Sequence, residues 1–254
     1  DIVAFISSIL YRGVNWKFYP TTLLGQCDSC IGSKSSINFD SYKNLLGTFK
    51  PPSQIFINNA FLYTLTESEI KSGIGEMLHY FLVDGIDIAL KLSQEYDELI
   101  INRKGLDFFI NKILEIKKKI IEIDEFDMSV RHIFNYGHTF GHAIEAITNY
   151  SIPHGQAVTI GMDLANYISM KLNMLSKDNF KIMHEILKIN KPKYSIDINN
   201  IDNYCSALSK DKKNKGNNLG CILSNSPGNV EKVFLKIDDN LKSMITNYFI
   251  HYGT

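Results

Sequence analysis

A chain of 254 residues that is 44% hydrophobic can bury a sizeable core, with room for one large or two small domains. Lys plus Arg and Asp plus Glu both total 27, so no net field points to nucleic acid or to a membrane. The longest apolar runs, such as Ile2–Leu10, are too short to span a bilayer; no secretory n-region, h-region and cleavage-site pattern occurs, and the chain reads as cytoplasmic.

Ile2, Phe5, Ile6, Ile9 and Leu10 recur at helical spacing and predict a helix to Tyr11, stopped by Gly13. Asp1 enters that helix directly, so a further N-terminal part is expected before it. Asn15–Tyr19 is expected as a short strand ending at Pro20, Thr21 and Thr22 as the cap of a short helix, and Ile31-Gly-Ser-Lys34-Ser-Ser as a small-residue loop. Gln54–Ile57 follows Lys50-Pro-Pro52 as a second strand. Thr66-Glu-Ser-Glu69 is a capping box that opens a helix through about Leu82. Helical periods then predict Asp84–Tyr96, Leu106–Ile123, Ser129–Thr148, His154–Leu172 and Asp178–Leu187. Leu219–Ser224 and Val230–Leu235 flank Asn225-Ser-Pro-Gly228, a hairpin signal. The expected fold is an α/β remnant over residues 1–63 followed by a mostly α-helical domain over 64–254.

On a continuous helix, Arg131, Asn135, His138 and His142 would share one stripe. A guanidinium, an amide and two imidazoles make an anion- and metal-binding surface rather than a packing surface. Gly137 and Gly141 form a neighbouring stripe; each costs a helix roughly 1 kcal/mol relative to Ala, so close approach is expected there. His138, His154 and a carboxylate would give a three-ligand divalent site with an open position. Glu76, in Ser72-Gly-Ile-Gly75-Glu76, is the most attractive carboxylate; a solvated helix side chain is the alternative. Thr139 stands where a zincin needs Glu, so a metalloprotease gets no support. His142 reads as a base, a fourth ligand or an outer-shell histidine, whereas His132, His184 and His251 read as surface residues.

Asp28-Ser-Cys-Ile-Gly32-Ser-Lys34 and Lys43-Asn44 supply the cations, amide and hydroxyls that phosphate binding requires, without Walker A spacing. The run Lys210–Lys215 reads as a solvated basic loop. Cys27 and Cys30 form the only C-x-x-C and read as reduced thiols rather than half a zinc site.

Taken together, Tyr11-Arg12-Gly13, Pro20-Thr-Thr-Leu-Leu24, Asp28–Lys34, Lys43-Asn44, Ser72–Glu76, Asn135–Glu145, His154-Gly155 and Asp211–Lys213 resemble the 3-dehydroquinate synthase family of sugar phosphate cyclases over essentially the whole chain. That resemblance implies an NAD- and metal-dependent lyase of the shikimate pathway, serving aromatic amino acid biosynthesis, homodimeric, with zinc or cobalt as the ion. It implies Glu76, His138 and His154 as metal ligands. It implies substrate contacts from Arg12 (reaching across a dimer), Asp28, Lys34, Asn44, His79, Asn135, Lys212 and Lys213, and catalytic roles for Lys117, Asp127, Arg131 and His142. Asp1, Thr21, Thr22, Lys43 and Phe61 to Thr64 would touch NAD. In the family, NAD oxidises a metal-held hydroxyl, phosphate leaves by elimination, the hydride returns and an aldol step closes the carbocycle.

Four departures stand out. The glycine-rich nucleotide-binding region is not in the sequence, so the chain by itself is expected to bind NAD weakly and not to complete turnover. His79 replaces a substrate-contacting lysine, Asp127 a glutamate, and Gln156 the glutamate of His-Gly-Glu. A protonated His79 would make catalytic efficiency fall as pH rises through neutrality; a neutral one would merely hydrogen-bond. Arg131 and Asn135 favour a dehydroquinate synthase over cyclases acting on sedoheptulose phosphate. Other readings are a cyclitol or 2-deoxy-scyllo-inosose synthase, a metal-dependent alcohol or glycerol dehydrogenase, and a non-catalytic binding module.

Overall fold

The protein is described by a computed structural model covering residues 1–39, 42–127, 129–192, 201–210, 214, 216 and 218–253, with the side chains of 38 and 42–44 outside that description. Its first part is α/β. Helix α1 (Ile2–Ile9) runs into a 3₁₀ turn at Leu10–Arg12 and packs on an antiparallel hairpin, β2 (Lys34–Phe39) with β3 (Tyr42–Phe49). The short strands β1 (Lys17–Phe18) and β4 (Gln54–Ile55) pair in parallel. Between them a π-type turn, Gly25–Ser29, starts from Thr22, whose Oγ1 accepts from Gly25 N at 3.0 Å. Lys34 to Ser36, expected in a loop, therefore lie in a strand. Serines disguised its two-residue alternation: Ser35 points inward, its hydroxyl 2.7 Å from that of Thr48.

The rest is mostly helical. The capping box at Thr66 forms as expected, with Glu69 N donating to Thr66 Oγ1 and Thr66 N to Glu69 Oε2, and it launches α2 (Glu67–Asp84). Then come α3 (Asp87–Gln94), α4 (Tyr96–Asn102), α5 (Leu106–Ile123), α6 (His138–Ile147), α7 (His154–Lys171), α8 (Lys177–Lys188) and α9 (Ile201–Ser209). The hairpin β5 (Asn218–Ser226) with β6 (Asn229–Lys236) turns at the predicted Pro-Gly, Gly228 having φ +77°, and α10 (Asp239–Tyr252) closes the chain.

Helix α7 is the axle. Residues Gly155 through Ser169 are all buried, and α2, α6, α8, α10 and β5 pack around it. A helix buried on every side needs neighbours that approach closely. Here glycines allow it: a Cβ on Gly155 would collide with the Ser72 carbonyl of α2, and one on Gly161 with the Gly137 carbonyl at the start of α6. Among the described residues no helix is long and apolar enough to cross a membrane.

One predicted helix is overturned. Residues 129–148 do not form a single helix: a 3₁₀ segment, Val130–Asn135, is separated from α6 by Gly137 at φ +77°. The left-handed step seats Tyr136 in the core, where its hydroxyl donates to Asn166 at 2.5 Å. The expected helix 84–96 forms as α3, shorter at both ends; α4, α9 and α10 were not anticipated.

Candidate functional site

The glycine contacts that press α2 and α6 against α7 bring Glu76, His138 and His154 together. His138 and His154 are the first residues of α6 and α7, and Glu76 faces them from the third turn of α2. The two Nε2 atoms lie 3.4 and 3.2 Å from Glu76 Oε1. Nδ1 of His138 sits 3.2 Å from the Tyr136 carbonyl, and Nδ1 of His154 lies 3.0 Å from Glu145 Oε1. Each ring is thus held from behind and presents its other nitrogen to the carboxylate. Glu76 is 2% exposed, which excludes the solvated alternative, and its Oε1 has no satisfactory hydrogen-bond partner. An orphaned buried carboxylate oxygen facing two anchored imidazoles fits a divalent cation of the borderline kind that takes N and O ligands. One ligand atom from each residue lies within 4.8 Å of the others.

Electrostatics agree with this geometry. Burial works to raise the pKa of Glu76, but the nearby histidines outweigh it and hold the carboxyl well below its usual range. Burial alone would lower His154; the Glu145 carboxylate, hydrogen-bonded to its ring, and the adjacent negative charge of Glu76 instead push it up to about 10. His142, on α6 one turn past His138, has its ring 5.6 and 5.8 Å from those of His138 and His154. Glu145, in the next turn, escaped the sequence reading as a functional residue, although its spacing from His142 puts it on the same face. Gln156 serves packing, donating to the Asn190 carbonyl at 3.1 Å.

His79 lies in the same pocket, 1% exposed, with Nδ1 3.6 Å from Glu76 Oε2 and neither ring nitrogen hydrogen-bonded. It is ringed by Tyr80, Phe134, Tyr136 and His138. Burial pushes its pKa down further than Glu76 lifts it. The neutral imidazole is the form this pocket supports.

Beyond Tyr80 lies the charged set. Lys117 of α5, nearly buried, donates to the Asp28 carbonyl and, at 2.9 Å, to Asp28 Oδ1; Tyr80 Oη donates to the same oxygen at 2.5 Å. Burial would raise Asp28, but the Lys117 charge and these hydrogen bonds lower its pKa. Lys34 pairs with Asp127 at 2.7 Å. Arg131 comes from the 3₁₀ segment, not from a stripe shared with His138. It is fixed by its backbone N on Asp124 Oδ2 (3.0 Å) and by Nη1 on the Glu125 carbonyl (2.5 Å), and Gly32 leaves space beside its Nη2. Asn135 donates to the His132 carbonyl at 3.0 Å.

The remaining expected contacts are less gathered. Arg12 is exposed in the 3₁₀ turn at φ +65°. Asp1 accepts from Ser36 N at 3.2 Å and, with Lys34, lines a groove of about 680 Å³. Thr21, Thr22, Phe61 and Thr64 are exposed and do not line that groove. The side chains of Lys43 and Asn44, and Lys212 and Lys213 entirely, lie outside the described residues. A cavity of about 1570 Å³ lies along α7, α8 and the end of α10 and contains none of the histidine cluster. It includes half-buried His184, anchored on Asp163 rather than free on the surface as expected. Cys27 and Cys30 are buried free thiols; burial raises both, Cys30 to about 11.

Comparison with known proteins adds the family. Residues 73–214 match the model described as 3-dehydroquinate synthase C-terminal, and residues 1–72 match 3-dehydroquinate synthase N-terminal. A 3-dehydroquinate synthase of Clostridium tetani is 36% identical over 248 residues, 96% of this chain and 65% of the relative. The chain thus spans about two thirds of that relative's length. A 2-epi-5-epi-valiolone synthase from Streptomyces hygroscopicus, solved with NAD⁺ and Zn²⁺, shares the fold at a TM-score of 0.85 and 22% identity, over 98% of this chain and 70% of that one. A 2-deoxy-scyllo-inosose synthase, solved with carbaglucose-6-phosphate, NAD⁺ and Co²⁺, gives 0.85 and 25% over the same shares. On these matches, the chain belongs to the 3-dehydroquinate synthase family.

Proposed function

We propose that this chain carries the metal- and substrate-binding machinery of a 3-dehydroquinate synthase, which converts 3-deoxy-D-arabino-heptulosonate 7-phosphate to 3-dehydroquinate with loss of phosphate. The observation that carries the reading is the convergence of His138 Nε2 and His154 Nε2 on the orphaned Glu76 Oε1, beside a set of fixed cations. Glu76, His138 and His154 are the ligands of one zinc or cobalt ion, which when bound polarises the substrate oxygens it holds. NAD, when bound, would supply the reversible oxidation that this chemistry needs. The assignment of Asp1, Thr21, Thr22, Lys43, Phe61 and Thr64 to NAD rests on family likeness.

The chain's own groups do the rest. Arg131 and Lys34, with Lys212 and Lys213, bind the anionic ends of the substrate, since fixed guanidinium and ammonium groups match phosphate and carboxylate. Asp28 and Lys117 orient hydroxyls, and substrate exchanges with their mutual pairing, as it does with the Lys34–Asp127 pair. Asn44 and Asn135 add amide contacts. His142, adjacent to both ligand histidines, moves a proton between substrate and solvent. Arg12 enters from the partner in a homodimer. Residues 1–63 form the cofactor side and 64–254 the metal side.

One observation favours a second reading. A buried, neutral His79 suits an uncharged substrate group, as in a cyclase acting on a sugar phosphate that has no carboxylate. Phosphate release by a protein containing this chain, supplied with NAD⁺ and Co²⁺, separates the two. Release from the heptulosonate phosphate and not from glucose 6-phosphate or sedoheptulose 7-phosphate supports the first; the reverse order contradicts it.

A further inference from the structure

We infer that Glu145 is a positioning residue that fixes His154 in the tautomer and orientation a metal ligand needs, an inference that rests on the metal reading above. A neutral imidazole has one proton and two nitrogens, and only the bare nitrogen can bind an ion. Glu145 is 5% exposed and holds Oε1 3.0 Å from His154 Nδ1. A carboxylate there keeps the proton on Nδ1 and leaves the Nε2 lone pair directed at Glu76 Oε1, 3.2 Å away. His138 is fixed on the same principle by a different group, the Tyr136 carbonyl behind its Nδ1.

The two anchors differ in strength. A backbone carbonyl is neutral, whereas Glu145 adds a negative charge behind the ring, which makes the bare nitrogen a better donor. His154 also has more need of an anchor, because its side chain is the more exposed of the two, 28% against 16% for His138. Glu145 holds that loop too, its carbonyl accepting from Tyr150 N at 2.8 Å and from Thr148 Oγ1 at 3.3 Å. The residue therefore ties the turn that leaves α6 to the first side chain of α7. His142, Glu145 and His154 also bring donor atoms within 4.8 Å of one another, so a second cation held by those three is the competing use of the same carboxylate. In that use His154 Nδ1 would release its proton to solvent and bind the ion instead.

Calorimetric titration with Co²⁺, together with the visible ligand-field spectrum of the bound cobalt, decides between them. The chain takes up one Co²⁺, and His138→Ala abolishes uptake. Glu145→Ala still binds one Co²⁺, about 10–100-fold more weakly and with an altered spectrum, the loss typical of removing an outer-shell partner. Glu145→Gln, which keeps an acceptor and the shape but not the charge, weakens binding by about tenfold, the low end of that range. Glu145→Ala binding within twofold of the parent, while His138→Ala binds none, overturns the inference and leaves the metal site standing. So does uptake of two Co²⁺ of which Glu145→Ala loses only one. If Glu145→Ala does not fold, a Glu145→Gln affinity within twofold of the parent overturns it equally. A parent chain that binds no Co²⁺ removes the metal reading and the inference together.

Discussion

Lys117 and Asp28 hold each other in a pocket where neither could stand alone. An ammonium left there without its carboxylate keeps its desolvation cost and loses its charge-assisted hydrogen bonds. Asp28→Asn is therefore expected to destabilise the chain by about 2 kcal/mol at neutral pH. Because the folded-state pKa of Asp28 is depressed, this contribution is present above the unfolded value of about 3.9 and is lost as pH falls through the lower folded value. Urea midpoints of parent and variant should converge between neutral pH and the acid limb; a gap independent of pH would refute the pairing. His79 shows the opposite balance. Its burial removes the charge that a surface-like histidine would carry, so the falling limb of catalytic efficiency anticipated from a protonated His79 finds no support in this pocket.

At the scale of elements, the site depends on how closely two helices can approach α7. A Cβ on Gly75 would collide with the Gly155 backbone, and that contact lies one residue from Glu76 and one from His154. Gly75→Ala is expected to cost about 2–3 kcal/mol and to weaken metal uptake, because the helices must part by part of a side-chain width. A variant with parental stability and metal content would show that the approach is not needed. A second tie holds α7 to α8 and α10: fully buried Asp163 accepts from Lys191 (2.6 Å), Tyr248 (2.8 Å) and His184 (2.9 Å). Asp163→Asn strands a nearly buried ammonium and should cost about 3–5 kcal/mol in a denaturant titration. A loss under about 1 kcal/mol would place Lys191 in solvent instead.

These elements also explain what the sequence could and could not tell. The capping box at Thr66, the period of α5 and the Pro-Gly turn at 227–228 are local signals, and each formed where expected. The break at Gly137 is not local. A helical period continues through it, and only the packing of Tyr136 and Gly161 shows why the backbone must turn left-handed there. The metal triad was legible in its residue types as well as in the family motifs, whereas the role of the small residues beside it became clear only from the helix contacts. Glu145 was visible at helical spacing, but its partner lies across a loop. Lys34 was placed in a loop because its neighbours are serines, which a strand accommodates when their hydroxyls find partners.

For the molecule as a whole, the helical part is closely packed while the first part leaves apolar surface uncovered. Ile2, Val3, Ile6, Ile9 and Leu10 of the first helical stretch are exposed, and so are Phe39, Leu45, Leu46 and Phe49 on the hairpin it packs against. A patch of this kind on a folded chain binds apolar dyes. The native chain is expected to enhance anilinonaphthalene sulfonate fluorescence, and Ile6→Lys to reduce it without lowering the urea midpoint; no enhancement would mean that the patch is covered. The central claim is that Glu76, His138 and His154 jointly hold one divalent ion. Anomalous diffraction at the zinc edge, from crystals of the chain grown with one equivalent of Zn²⁺, tests it most directly. The account predicts one strong peak bonded to one carboxylate oxygen of Glu76 and to Nε2 of both histidines, and an ion bound elsewhere, or no peak among these three side chains, would contradict it.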